Sequence, residues 1–72
     1  MEPREVFQLL VRADEALKYA TPRHQGARVR QARALLERAL REAEALGDAG
    51  LVEQARRRLA DLDRLQAGGS VR

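Results

Sequence analysis

The 72-residue chain contains no cysteine, which excludes disulfides, thiolate nucleophiles and cysteine-ligated zinc. Tryptophan, isoleucine and asparagine are also missing, and the only aromatic residues are Phe7 and Tyr19. Two aromatics cannot supply the row of platforms on which single-stranded nucleic acid stacks. Hydroxyl nucleophiles are scarce as well. Ser70, the only serine, follows two glycines, and Thr21, the only threonine, precedes a proline. A catalytic serine needs a base and an orienting group on a rigid frame, and neither position offers them. His24 is the only histidine, the residue type suited to proton transfer near neutral pH. Its place at the opening of a helical segment reads as a solvated position. No enzyme activity is expected.

Metal and phosphate motifs are missing in the same way. Asp61 and Asp63 lie two apart, as do Glu42 and Glu44, so on a helix each pair diverges. Asp14 and Glu15 are adjacent and diverge too, and no Glu-x-x-His pair exists. Gly68-Gly69 follows the last helical pattern instead of opening a helix, where a phosphate loop would be. No metal or cofactor is expected. The start, Met1-Glu2-Pro3-Arg4-Glu5, is charged, and no apolar run reaches the length of a signal peptide or a membrane span. The reading is a cytoplasmic protein with no membrane association.

What is present is charge, alanine and leucine. Charged residues make up 35% of the chain, the net charge is +3, and thirteen of the fourteen basic residues are arginine. Ala, Leu, Arg and Glu together are the composition of amphipathic helices. Many charges and few thermolabile residues fit a heat-adapted organism, and GC-rich coding would enrich Arg and Ala equally.

Apolar spacing predicts three helices. Pro3 suits a first helical turn, and Val6, Leu9, Leu10, Ala13, Ala16, Leu17 and Ala20 recur at three and four. Thr21-Pro22 marks the break, with Thr21 as cap and Pro22 as first residue of a second helix. That helix carries Val29, Ala32, Leu36, Ala39, Ala43 and Leu46, widened by Leu35 and Leu40. Gly47 can close it in the left-handed conformation, and Asp48 can cap the third. Leu51, Val52, Ala55, Leu59, Leu62 and Leu65 mark that third helix. Short connections make sequential helices antiparallel. The expected fold is all-α, a three-helix antiparallel array or bundle over residues 1–66, with Leu10, Leu17, Leu36, Leu40, Leu59 and Leu62 inside. Residues 67–72 read as a flexible tail.

Candidate contact residues fall in two groups. Between Glu15 and Glu37 the chain carries Lys18, Arg23, Arg28, Arg30 and Arg33 with no acid among them. Arg23, Arg30 and Arg41 share one line of the second helix, opposite its apolar stripe, and could meet phosphate or an acidic partner. Glu37 and Glu44 lie close to that line. Arg56-Arg57-Arg58 has acids at helical spacing, with Glu53–Arg57 and Arg57–Asp61 four apart, the pattern of a solvated face. Phe7, Val11 and Tyr19 lie to one side of the first stripe. They either widen its core face or form an exposed strip that pairs with a partner.

Ala32-Arg33-Ala34-Leu35-Leu36-Glu37-Arg38-Ala39-Leu40, followed by Leu46-Gly47-Asp48, resembles the second helix of a tetratricopeptide repeat and its exit turn. Ala32, Leu36 and Ala39 match the small, large and small packing residues of that motif, over about half the chain. On the first helix the repeat's aromatic, glycine and tyrosine positions are occupied here by Ala16, Ala20 and Arg23. The chain is also similar, more distantly, to the three-helix domains of microtubule-interacting-and-trafficking proteins. Both resemblances imply an interaction scaffold without catalysis. A chain this small buries only about 60% of its unfolded surface, and without disulfide or metal it is expected to gain stability by association. The expected function is a protein-interaction module that self-associates, most simply as a homodimer, or binds a helical or extended segment of another protein. The alternative is a small basic nucleic-acid-binding or regulatory protein.

Overall fold

The computed structural model describes residues 1–70, with side chains described for residues 1–65. Three helices account for nearly all of it: α1 (Pro3–Lys18), α2 (Gln25–Leu46) and α3 (Ala49–Ser70). The start of α1 lies near Glu42, while Arg33 meets Asp63 and Glu44 meets Arg56. Partners therefore run in opposite order along neighbouring helices, and sequential helices are antiparallel. The all-α fold expected from the periodicity is the one observed. α2 is the central element; α1 and α3 each pack along it and touch one another only lightly.

Helix ends follow local chemistry. The backbone N–H of Glu2 donates to Glu5 Oε1 at 2.8 Å, which holds the first turn of α1 around Pro3. At the other junction Gly47 adopts φ 70°, ψ 25°. Its N–H donates to the Glu44 carbonyl at 3.1 Å, and that of Asp48 to the Ala43 carbonyl at 3.1 Å. Those two bonds form a Schellman closure, and an added side chain would strain the left-handed glycine. Asp48 Oδ1 then accepts from the Leu51 N–H at 3.1 Å, capping α3 as expected.

The first junction departs from expectation. Thr21 and Pro22 lie outside α2, which begins at Gln25 with His24 as its cap residue. The Thr21 carbonyl accepts from the His24 N–H at 3.0 Å. Thr-Pro thus occupies the first two positions of a four-residue turn, which favours proline second as strongly as a helix favours it first. At the far end, α3 is described to Ser70, past the boundary expected at 66. Residues 67–70 of the expected tail are helical backbone, and residues 71–72 lie outside the described residues.

The core is one contiguous cluster. Leu10, Leu36 and Leu62 are buried as expected, with Val6, Leu9, Val29 and Leu51 around them. Leu17, Leu40 and Leu59 are only partly buried, because they sit on the flanks of their stripes. Leu46, expected in the apolar stripe of α2, is 41% exposed, and Leu65, one of the residues that mark α3, is 50% exposed. Each lies near a helix end, where the neighbouring helix no longer covers it. The remaining buried positions are alanines, namely Ala13, Ala16, Ala32, Ala39, Ala43 and Ala55. Small side chains at these crossings let the axes of α1 and α3 approach α2 closely. Each of the fully buried Leu and Val side chains contributes roughly 1.5–3 kcal/mol. No polar or charged residue is buried among the described residues.

Candidate functional site

Two surface hollows flank α1. The larger, about 460 Å³, opens between the second half of α1 and the first half of α2. Arg12, Glu15, Ala16 and Tyr19 line it from α1 and its last turn, at the three- and four-residue spacing that makes one helix edge. Arg28 and Gln31, three apart, line it from α2. The Arg28 Nη1 group donates to Gln31 Oε1 at 3.4 Å, which holds the guanidinium along the α2 wall. Tyr19 is 64% exposed, and Lys18 Nζ stands 5.5 Å from its ring centroid. Ala16 is buried at the base.

The second hollow, about 290 Å³, lies between α1 and α3 and is lined by Asp14, Leu17, Arg58, Asp61, Leu62 and Leu65. A cross-helix pair bridges it. Arg58 Nε donates to Asp14 Oδ1 at 3.0 Å, and Arg58 Nη2 to Asp14 Oδ2 at 3.1 Å, the two-pronged geometry in which Arg–carboxylate pairs are strongest.

Phe7, Val11 and Tyr19 do not form one strip. Phe7 and Val11, one turn apart, are 48% and 38% exposed. Tyr19 is displaced from them by roughly 120° and 80° around the helix and faces the α2 cleft instead. Neither Phe7 nor Val11 widens the core.

The expected arginine line is also split. Arg23, Arg30 and Arg41 are all exposed, but Arg23 lies in the turn before α2, so no helical line includes it. Arg30 folds back over the first turn of α2, close enough that a Cβ at Gly26 would lie 3.5 Å from its Nη1. The arginines that α3 carries are engaged: Arg58 with Asp14, Arg56 with Glu44 at 3.4 Å, Arg57 with Glu53 at 3.4 Å and Arg64 with Asp61. Arg33 of α2 holds Asp63 at 2.8 Å. Asp61 therefore pairs with Arg64 and not with the expected Arg57. Among the described residues, Arg12, Arg23, Arg28, Arg30 and Arg41 form no ion pair.

Residues 12–33 consequently hold six basic and two acidic residues, against eight basic and nine acidic in the rest of the chain. The acid-free run between Glu15 and Glu37 is visible in the sequence, but the cleft is not. Arg12 and Arg28 lie on different helices, and only the α1–α2 crossing brings them to one place. Among the described residues no group of three or more His, Cys, Asp or Glu side chains could hold a metal ion. No described helix is long and apolar enough to cross a membrane. No family model, curated protein or solved structure matches the chain.

Proposed function

We propose that the chain is a non-catalytic protein-interaction module that works as a two-fold homodimer through the outer face of α1 and its seam with α3. The observation that carries this reading is the exposure of Phe7 and Val11 on a helix whose other apolar residues are buried or, at Leu17, partly buried. Leu65 and the partly buried Leu17 add apolar surface in the hollow between α1 and α3. Asp14, Arg58 and Asp61 line the same hollow with both signs of charge. A surface carrying both signs can complement a second copy of itself, which a two-fold contact requires. The resemblance of the central segment to a tetratricopeptide repeat supports an interaction role in general. Sedimentation equilibrium at micromolar concentration tests the dimer. The expected mass is twice the 8.1 kDa of the chain, falling to the single-chain value in Phe7→Glu/Val11→Glu with helicity retained. A single-chain mass that stays constant as concentration rises overturns the reading.

The acid-free run, which holds Arg23 and Arg30, favours a second reading, a small nucleic-acid-binding or regulatory protein using these two together with Arg41 beyond it. Phosphate contacts release counterions, so retention on DNA or RNA would weaken steeply with salt. Arg23→Glu/Arg30→Glu would abolish it. No retention of the wild type at low salt removes this reading.

A further inference from the structure

We propose that the cleft between α1 and α2 is a binding site for a small soluble phosphate monoester, its phosphate held between Arg12 and Arg28 and its organic part against Tyr19 and Ala16. The site lies on the opposite flank of α1 from Phe7, roughly 140° around the helix from Arg12, so it stands or falls separately from the dimer.

Three features of the cleft define the ligand. The first is two guanidinium groups on opposing walls. Arg12 comes from α1 and Arg28 from α2, and neither forms an ion pair among the described residues. A carboxylate brings one charge, which one arginine satisfies. A phosphate monoester brings a charge of about −1.5 to −2 at neutral pH and three acceptor oxygens, enough for a fork-like contact from each side. The surrounding excess of basic residues over 12–33 raises the local concentration of any such anion.

The second feature is the apolar part. The Tyr19 ring and the Ala16 methyl give a surface for a ring or a short carbon skeleton. The hollow's volume of about 460 Å³ falls in the range of small-molecule sites. The third is Glu15, which also lines the hollow and has no ion-pair partner among the described residues. A carboxylate there repels a second phosphate, which selects a monoester over a polyanion. It also accepts a hydrogen bond from a ligand hydroxyl or ring N–H.

The full chain is titrated with phenyl phosphate, ribose 5-phosphate and inorganic phosphate at low salt. NMR follows the Arg Nε–H signals and the Tyr19 ring. Saturable one-site shifts at Arg12, Arg28 and Tyr19 are expected, with one organic phosphate binding several-fold more tightly than inorganic phosphate. Which of the two esters wins tells an aromatic ligand from a sugar-like one. Arg12→Ala/Arg28→Ala should weaken binding by about tenfold or more, the scale of a lost charge-assisted contact. Arg12→Lys/Arg28→Lys should fall between, and Arg30→Ala/Arg41→Ala, which only thins the surrounding field, should weaken binding far less than Arg12→Ala/Arg28→Ala; circular dichroism checks that each variant is folded. The site is overturned by non-saturable shifts, by equal affinity for inorganic phosphate and both esters, or by equal loss in the Arg30/Arg41 control. Binding of oligothymidylate without either ester would also overturn it, since that is a nucleic-acid surface.

Discussion

The arginines of α3 and those at the α1–α2 end of the molecule are the same residue type in different employment. Arg56, Arg57, Arg58 and Arg64 each meet a carboxylate, two of them on a neighbouring helix. Arg12, Arg23, Arg28 and Arg30 meet none among the described residues. The placement of acids differs: Glu53 and Asp61 on α3, with Glu44 and Asp14 on the neighbouring helices, come within reach of the α3 arginines, whereas the chain between Glu15 and Glu37, which carries Arg23, Arg28 and Arg30, has no acid. Cations on α3 thus help to dock helices, and those at the other end outnumber the acids near them, with Glu15 the one carboxylate that lines the cleft. A count of arginines would not separate the two groups. The acids around them do.

The largest expected effect tests the frame that both regions share. Leu36 is 1% exposed on the central helix, where α1 and α3 are held to the same cluster. Leu36→Ala should cost about 2–5 kcal/mol through lost burial and a residual cavity. For a domain of this size each kcal/mol moves the melting temperature by roughly 4–8 °C. Both regions should then lose structure together in one transition, followed by far-ultraviolet circular dichroism. An unchanged melting temperature would show that α2 packs in a different register and that neither region is described correctly.

Legibility in the sequence followed the range of the interactions. The Gly47-Asp48 junction was readable because both of its devices, a left-handed glycine and a carboxylate cap, act within five residues. Core positions in mid-helix, such as Leu10, Leu36 and Leu62, were readable because periodicity alone sets their face. Thr21-Pro22 was misplaced because a turn and a helix start make the same demand on proline. Leu46 and Leu65 have the right period but lie where a neighbouring helix runs out, which no one-dimensional pattern records. Tyr19 shares apolar character with Phe7 and Val11, although helical geometry separates it from them. The cleft itself was invisible, since Arg12 and Arg28 meet only through the packing of α1 on α2.

A middle-sized effect sets the two arginine groups directly against each other. Arg58 reaches Asp14 by two hydrogen bonds, and its side chain is 29% exposed. Exposed pairs contribute about 0.2–1 kcal/mol, and this one joins helices that otherwise touch little, so Arg58→Ala should fall near the upper end. The loss should shrink as salt is added. Arg12→Ala breaks no ion pair among the described residues and should change stability by less than about 0.5 kcal/mol in buffer without organic phosphate. Urea unfolding of the two variants at low and high salt makes the comparison. Equal losses would mean that the pairing of the α3 arginines carries no structural weight.

The smallest effect concerns the basic end alone. The first turn of α2 contains no acid, and His24 makes no side-chain cap bond to it. The positive end of the helix dipole there coincides with Arg23, Arg28 and the folded-back Arg30. Gln25→Glu places a carboxylate at the first residue of α2 with almost no change in volume. A negative charge at such a position stabilises a helix by about 0.3–1 kcal/mol at low ionic strength. The nearby guanidinium groups add attraction of the same sign. The variant should therefore melt a few degrees higher than the wild type in low salt, a gain that disappears near molar salt as screening removes it. The same substitution on an end already neutral would do less. An unchanged or lowered melting temperature in low salt would show that the charges at this end are already compensated, and the contrast between the two arginine groups would then fail.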